Sequence, residues 1–271
     1  MKVKEIQKWK LILRIMKVRA SEIAKAIEEF APLGLQAEWD NSGFTVGNPD
    51  GMVSRALIAL NCSLEVMQEA VSKECDMVIT HHPLIVHKPC LSILEGDVRS
   101  ETIMLAIRHG ITVYSSHTPL DKTAGGLNDI MASRLGLKDT RVLGADGFSR
   151  VGSLPRAMSA GAFVEKVKKA FGASCVRTSA FVEGKVSCVA VSSGGGQGAI
   201  ADAVASGAQV LVTGDVTHHN FYCPDGFMVI DAGHHFTELP AIGLLEAVIK
   251  KKFPKFALLL SEADKSPIFY I

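Results

Sequence analysis

Residues 56–83 read Ala56-Leu57-Ile58-Ala59-Leu60-Asn61-Cys62-Ser63-Leu64-Glu65-Val66-Met67-Gln68-Glu69-Ala70-Val71-Ser72-Lys73-Glu74-Cys75-Asp76-Met77-Val78-Ile79-Thr80-His81-His82-Pro83, and this stretch decides the fold. Ala56–Leu60 is a short apolar run with the length and composition of a buried strand. Leu64, Met67, Ala70 and Val71 then recur at helical spacing, and Met77–Ile79 is a second apolar run ending in Thr80-His81-His82. Strand, helix, strand in that order predicts parallel strands joined by a right-handed crossover, and so an α/β fold.

Further along the chain the same order returns. Val189-Ala190-Val191 reads as a strand, Gly194-Gly195-Gly196 as a turn, and Ile200, Ala203 and Val204 as a helix. Val210-Leu211-Val212 then leads into Thr213-Gly214-Asp215, with Thr80 and Thr213 in register without a gap. Each half continues alike. Ile111–Tyr114 runs into His117, with Asp121 at His-x-x-x-Asp spacing; Met228–Ile230 runs into His234, with Glu238 at His-x-x-x-Glu spacing. The economical architecture is two similar α/β lobes from an internal repeat, over 17–137 and 138–271, packed as one compact unit with a dinuclear metal site in the cleft between them. Lys138 to Ser153, with Gly144, Gly147 and Gly152, reads as their connection. Chance similarity of two ordinary βαβ units is the competing reading; against it, the histidine–carboxylate pair repeats along with the hydrophobic pattern.

The totals suit such a globular chain. Of 271 residues, 48% are hydrophobic and 21% charged, enough for one sizeable core or two modest ones. A formal charge of +1 provides no general attraction to nucleic acid or anionic membranes. The six cysteines, Cys62, Cys75, Cys90, Cys175, Cys188 and Cys223, form no C-x-x-C pair and read as buried reduced thiols, which suits a cytosolic protein. Residues 1–16 mix Lys2, Lys4, Lys8, Lys10 and Arg14 with Ile6, Trp9 and Leu11, too interrupted for a signal sequence. They read as an N-terminal extension. No apolar run reaches the ~18 residues of a membrane span.

Seven of the nine histidines fall in four short windows, His81–His82, His117, His218–His219 and His234–His235, each after a predicted strand. In open α/β sheets, ligand sites form at the carboxyl ends of strands. Imidazoles with carboxylates suit Zn, Mn or Fe, and the lack of thiolates argues against a structural zinc knot. One metal takes about three or four protein ligands. Here more donors converge, which points to two ions sharing a carboxylate. His81, His82, Asp121, His234 and Glu238 are the ligand candidates. His117 fits either a core histidine or a donor behind the ligands, and Asp121 could instead cap a helix beginning near Gly125. Asp215, His218 and His219 are read as orienting the ligands or facing substrate, and His87 and His109 as structural. Gly194-Gly195-Gly196-Gln197-Gly198 fits a phosphate cradle and equally a tight turn needing positive φ. Trp39-Asp40-Asn41-Ser42-Gly43 is turn chemistry.

From about Val18 to the C-terminus the chain resembles the Nif-three-like family of GTP cyclohydrolase I type 2 homologues, in a short form without an inserted domain. The resemblance rests on Trp39-Asp40-Asn41 with Gly43, Thr80-His81-His82-Pro83-Leu84, His117-Thr118-Pro119-Leu120-Asp121, Gly147-Phe148, Gly152-Ser153-Leu154-Pro155, Thr213-Gly214-Asp215 with His219, and Gly233-His234 with Glu238. It implies a two-metal site on His81, His82, Asp121, His234 and Glu238, with Glu238 bridging the ions. It also implies a toroidal homohexamer built from dimers and a cytoplasmic setting. Two departures stand out: Pro119 replaces an expected Asn, and His219 to Asp231 is short, with Pro224-Asp225-Gly226 where the family leads one to expect a helix. The family's activity would open a guanine ring by hydration, with a nucleotide as ligand, and a divalent ion lowering the pKa of water towards ~7 suits that step. Two functions therefore stand: a metal-dependent hydrolase of a nucleotide or related ring, and a metal-loaded regulatory or scaffold protein without turnover.

Overall fold

The computed structural model describes residues 16–86, 92–269 and 271. The N-terminal extension thus lies outside the described residues except for Met16, as do His87 and Cys90. In chain order the elements are β1 (Val18–Arg19), α1 (Ala20–Phe30), β2 (Gly43–Val46), β3 (Met52–Val53), β4 (Arg55–Ala59), α2 (Leu64–Ser72), β5 (Met77–Thr80), α3 (Val98–His109) and β6 (Thr112–Ser115). There follow α4 (Thr118–Lys122), α5 (Leu127–Arg134), β7 (Lys138–Leu143), β8 (Ser149–Ser159), α6 (Ala160–Phe171), β9 (Arg177–Thr178) and β10 (Lys185–Val191). The chain ends with α7 (Ile200–Ala205), β11 (Val210–Thr213), β12 (Met228–Asp231), α8 (His234–Glu238), α9 (Pro240–Lys252) and β13 (Ala257–Leu260).

Among the described residues two compact units result: those up to Leu33, with Glu38–His117 and Leu245–Asp264, form the first, and Gly34–Ala37, Thr118–Leu244 and the residues from Lys265 on form the second. The first holds a five-stranded sheet ordered β13-β4-β5-β6-β2, parallel except for β2. Strands β5 and β6 are buried throughout, as is β4 beyond Arg55. That is why they read as unbroken apolar runs rather than alternating ones. Ser63 caps α2 by accepting from the Val66 amide at 3.3 Å, and Asp97 caps α3 through Ser100 at 2.8 Å. Val66, Met67 and Ala70 of α2 pack with Ile103 and Ala106 of α3 over the sheet. Ala59 pairs with Thr80 and Thr80 with Ser115, so Asn61, His81 and His117 leave the sheet at one edge.

The second unit holds a six-stranded sheet ordered β7-β8-β10-β11-β12-β9. Its centre is again parallel: Val191 pairs with Val212, and Thr213 with Asp231. Residues 192–194, Gly214-Asp215 and Ala232–His234 therefore emerge together. Phe163, Val167 and Phe171 of α6 pack against Val189, Val210 and Met228.

Two expectations about the chain's organisation change. Lys138–Ser153 is not a linker but the β7–β8 hairpin, with Arg141 opposite Val151 and Leu143 opposite Ser149. Gly144 and Gly147 adopt φ of 76° and 78° in its turn, so these glycines shape a hairpin instead of loosening a connection. The divide also does not fall at 137/138. Met131, Ala132, Leu135 and Leu137 bury their side chains in the second unit's core, and β13 adds to the first unit's sheet beside β4. The cysteines are less uniformly buried than expected. Cys62 and Cys75 are buried, Cys188 and Cys223 partly so, and Cys175 is exposed. No helix among the described residues is long and apolar enough to cross a membrane.

Candidate metal centre

In the first unit His81, His82 and His117 each offer a ligand atom, and these atoms lie within 4.8 Å of one another. His81 and His82 follow β5 directly, and His117 follows β6, so the parallel register brings the three rings to centroid separations of 5.0–5.2 Å. Each Nδ1 is already committed. For His81 it meets the Ser116 carbonyl at 2.9 Å, for His82 the Asn61 Oδ1 at 2.8 Å, and for His117 the Asp40 Oδ1 at 2.9 Å. The carbonyl and the carboxylate can only accept. Asn61 turns its Nδ2 to the Asp264 carboxylate at 3.4 Å, which leaves its oxygen for His82. Donation from Nδ1 to each of these acceptors corresponds to the tautomer in which Nε2 is the atom a metal would take.

Asp40 is buried and highly organised. It accepts from the Asn41 amide at 2.6 Å and from the Ser42 hydroxyl at 2.8 Å, and the Ser42 hydroxyl in turn accepts from the His117 amide at 3.0 Å. The Trp39–Ser42 turn therefore fixes His117, and Trp39 adds an edge-on contact at 5.5 Å. His117 sits beside the tandem histidines and offers a ligand atom in the same group. Cys62, in the turn after β4, is no competitor as a thiolate: burial, aided by the Asp264 carboxylate, pushes its thiol up to about 12.

In the second unit His234 and Glu238 open and close α8, with Nε2 and Oε2 2.9 Å apart. Asp215, in the loop after β11, holds the His234 Nδ1 at 2.8 Å. Burial opposes a charge on His234, but the hydrogen bonds and charges of Glu238 and Asp215 outweigh it and lift the imidazole to about 9. Gly194 lets these side chains approach its backbone. A Cβ there would lie 2.2 Å from Glu238 Oε1 and 3.1 Å from His234 Nε2, and its φ of +57° is left-handed. The glycine-rich loop is therefore a tight turn that makes room for the pair.

Asp121 lies in α4 and does not cap the following helix, whose cap is Gly126. Its Oδ1 accepts from the Ser193 hydroxyl at 2.7 Å, and its carbonyl accepts from Asn128 at 3.2 Å. Arg150 locks this segment: its buried guanidinium donates to the Lys122 carbonyl at 3.0 Å and to Asp129 at 2.6 Å. His218 and His219 are exposed beside Tyr222, and His109 is exposed at the end of α3.

Imidazoles and carboxylates gathered at strand ends define an α/β protein whose His/Glu groups could hold a divalent metal. The chain belongs to the Duf34/NIF3 (NGG1p interacting factor 3) family, whose model matches residues 18–267. It is 31% identical over 265 residues to the GTP cyclohydrolase 1 type 2 homolog of Clostridium acetobutylicum, covering 93% of this chain and 98% of that one. The homolog of Methanocaldococcus jannaschii is 33% identical over 243 residues, covering 88% and 94%. Among solved structures, a Bacillus cereus protein related to NIF3 superposes with a TM-score of 0.86 at 22% identity, covering 94% and 99%. Reduced HcgD from Methanocaldococcus jannaschii does so with a TM-score of 0.79 at 31% identity, covering 92% and 100%.

Sequence reading missed the hydrogen-bond partners of the candidate ligands and of His117: Asn61, Asp40 and Ser193. Asn61 had a usable signal, since it leaves a predicted strand at the edge where His81 leaves the next. Asp40 stood within a stretch that reads as turn chemistry alone.

Proposed function

We propose that this chain holds two divalent ions, Zn, Fe or Mn, in one dinuclear centre drawn from His81, His82, Asp121, His234 and Glu238, and that it hydrolyses a nucleotide or related ring. The observation that carries this reading is the common arrangement of the histidines. Each Nδ1 is tied to an acceptor, and the His234 Nε2 lies 2.9 Å from the Glu238 carboxylate, a histidine–carboxylate donor set of the kind that suits such ions. Such ions act as Lewis acids and lower the pKa of water towards ~7.

The chain's own groups have distinct tasks in this account. Asp40 and Asp215 orient their imidazoles and make them more basic. Glu238 supplies the shared carboxylate, and Ser193 holds Asp121 to one rotamer. His117 adds a further donor beside the tandem histidines. The substrate class rests on the relatives' name, GTP cyclohydrolase 1 type 2 homolog. A homohexamer and a cytoplasmic setting follow from the resemblance alone; a stable monomer in sedimentation would remove the hexamer and leave the metal site untouched. We also read the two units as an internal duplication pairing Thr80 with Thr213, an idea supported by the parallel centre of each sheet. Experimental coordinates in which these two strands superpose out of that register would remove it.

The direct test loads the protein with Mn, Fe or Zn and assays GTP for the ring-opened product. Turnover that rises with metal content supports the hydrolase. Full loading with no product in any metal form would leave a metal-binding protein without turnover.

A further inference from the structure

The loop that follows β11 carries more aromatic surface than metal ligation uses. Tyr222 is 77% exposed, and His218 and His219 are exposed with it. The His219 and Tyr222 rings lie within 24° of parallel, with centroids 6.5 Å apart. His218 stands nearly edge-on to both, at 5.3 and 5.7 Å. Alongside is a cavity of about 320 Å³ lined by Arg177, Thr178, His218 and Phe221. There the Arg177 guanidinium sits 5.3 Å above the Phe221 ring.

These rings are mounted on a fixed backbone. Gln197 Oε1 accepts from the Thr217 amide at 2.9 Å, the Thr217 hydroxyl at 3.1 Å and Asn220 Nδ2 at 2.8 Å. Arg177 donates to the Val216 carbonyl at 3.0 Å and pairs with buried Asp231, which also accepts from the Val216 amide at 3.0 Å. Phe221 packs into the core below, and the Pro224-Asp225-Gly226 turn, with φ of +78° at Gly226, closes the segment. A pre-ordered aromatic face loses little entropy when it takes a guest. The same loop begins at Asp215, the partner of His234.

Near-parallel aromatic rings take a nucleobase by stacking, whatever its sequence identity, and a guanidinium takes phosphate oxygens. Arg177 has five N–H donors, and its hydrogen bonds among the described residues come from Nη2 alone. The rest of its exposed fork can meet an anion. The rim of imidazoles and guanidinium suits a planar anionic guest better than an aliphatic one.

We propose that His218, His219 and Tyr222, with Arg177, form a nucleotide seat: the base stacks on the His219–Tyr222 face and the phosphates meet Arg177. This rests on the reading of a nucleotide as substrate and adds the residues that would hold it.

The test measures binding of GTP, guanosine and inorganic tripolyphosphate by calorimetry to the full chain, with and without added divalent metal. Tyr222→Ala should weaken GTP and guanosine by roughly tenfold, the scale of one lost base–aromatic stack, and leave tripolyphosphate unchanged. Tyr222→Phe should restore binding. GTP should bind more tightly than guanosine in the chelated protein, where no ion can recruit the phosphates. Equal GTP and guanosine affinities in wild type and Tyr222→Ala would overturn the seat. So would a Tyr222→Ala variant that alters only sedimentation, which would assign this surface to contacts between copies of the chain. Metal content measured on the same samples keeps the two readings apart, because weaker GTP binding by Tyr222→Ala at wild-type metal content is a loss of the seat and not of the metal centre.

Discussion

His234 and Glu238 stand one helical turn apart on α8, Nε2 to Oε2 at 2.9 Å, while Asp215 holds the other ring nitrogen at 2.8 Å. A ring between two carboxylates is best satisfied as imidazolium, and despite burial these partners raise His234 from 6.5 to about 9. In the metal-free protein the arrangement therefore stabilises the fold fully below pH 6.5 and ceases to do so as pH rises through about 9. Thermal unfolding of metal-free protein should show Tm falling across that window, and His234→Gln should flatten the fall. A His234→Gln variant with the wild-type pH profile would contradict the assignment.

Metal ligation needs the neutral ring, so uptake near pH 7 should expel the His234 proton. Calorimetric titration in buffers of different ionisation enthalpy counts protons released. His234→Gln should release about one fewer than wild type. An unchanged count would place the proton elsewhere.

Gly194→Ala should damage the same pair. The added methyl lies 2.2 Å from Glu238 Oε1, and the left-handed backbone itself costs about 1–2 kcal/mol with a side chain. Lower metal content and a lower Tm are expected together. Gly198→Ala, where a Cβ meets nothing within 4 Å, is the control and should change neither.

Arg150 is 3% exposed and joins the β7–β8 turn to α4 and α5 through Gly147, Phe148, Lys122, Thr123 and Asp129. Removing it strands several carbonyls and a carboxylate, so Arg150→Ala should destabilise by about 3 kcal/mol or more in urea unfolding. Because this segment carries Asp121, metal affinity should fall as well. A loss under about 1 kcal/mol would mean the network is redundant.

Glu238 and Asp121 should differ in their effects. A bridging carboxylate offsets repulsion between dications about 3.5–4 Å apart. Glu238→Gln should therefore deplete both ions and abolish metal-dependent hydrolysis, and Asp121→Asn should mainly deplete one. His109→Ala, on an exposed side chain, should leave metal content unchanged. Two ions bound at full affinity by Glu238→Gln would assign the bridge to another residue.

Much of this was legible because fully buried parallel strands are written as apolar runs. Ala56–Leu60, Met77–Ile79 and Val210–Val212 signal themselves locally, and the histidine windows follow directly from their ends. β7 was not legible, since all of it except Leu143 is exposed and its polar residues look like a loop. β13 had no local signal that Leu258 would pair with Ala56 across most of the chain. The unit boundary was misplaced for a related reason: Met131 and Leu137 choose their core by tertiary packing, which sequence spacing does not encode. The partners Asn61, Asp40 and Ser193 are likewise selected by where the sheets bring them, and of these Asn61 and Ser193, each two residues beyond a strand, share the strand-end position that marked the histidines.

The most direct test of the central claim is metal stoichiometry. Elemental analysis of protein purified without added metal, then reloaded with Zn, Mn or Fe and freed of excess, should approach two ions per chain, the number the donor set can hold. A saturating content of one ion, or of none, would contradict the dinuclear account.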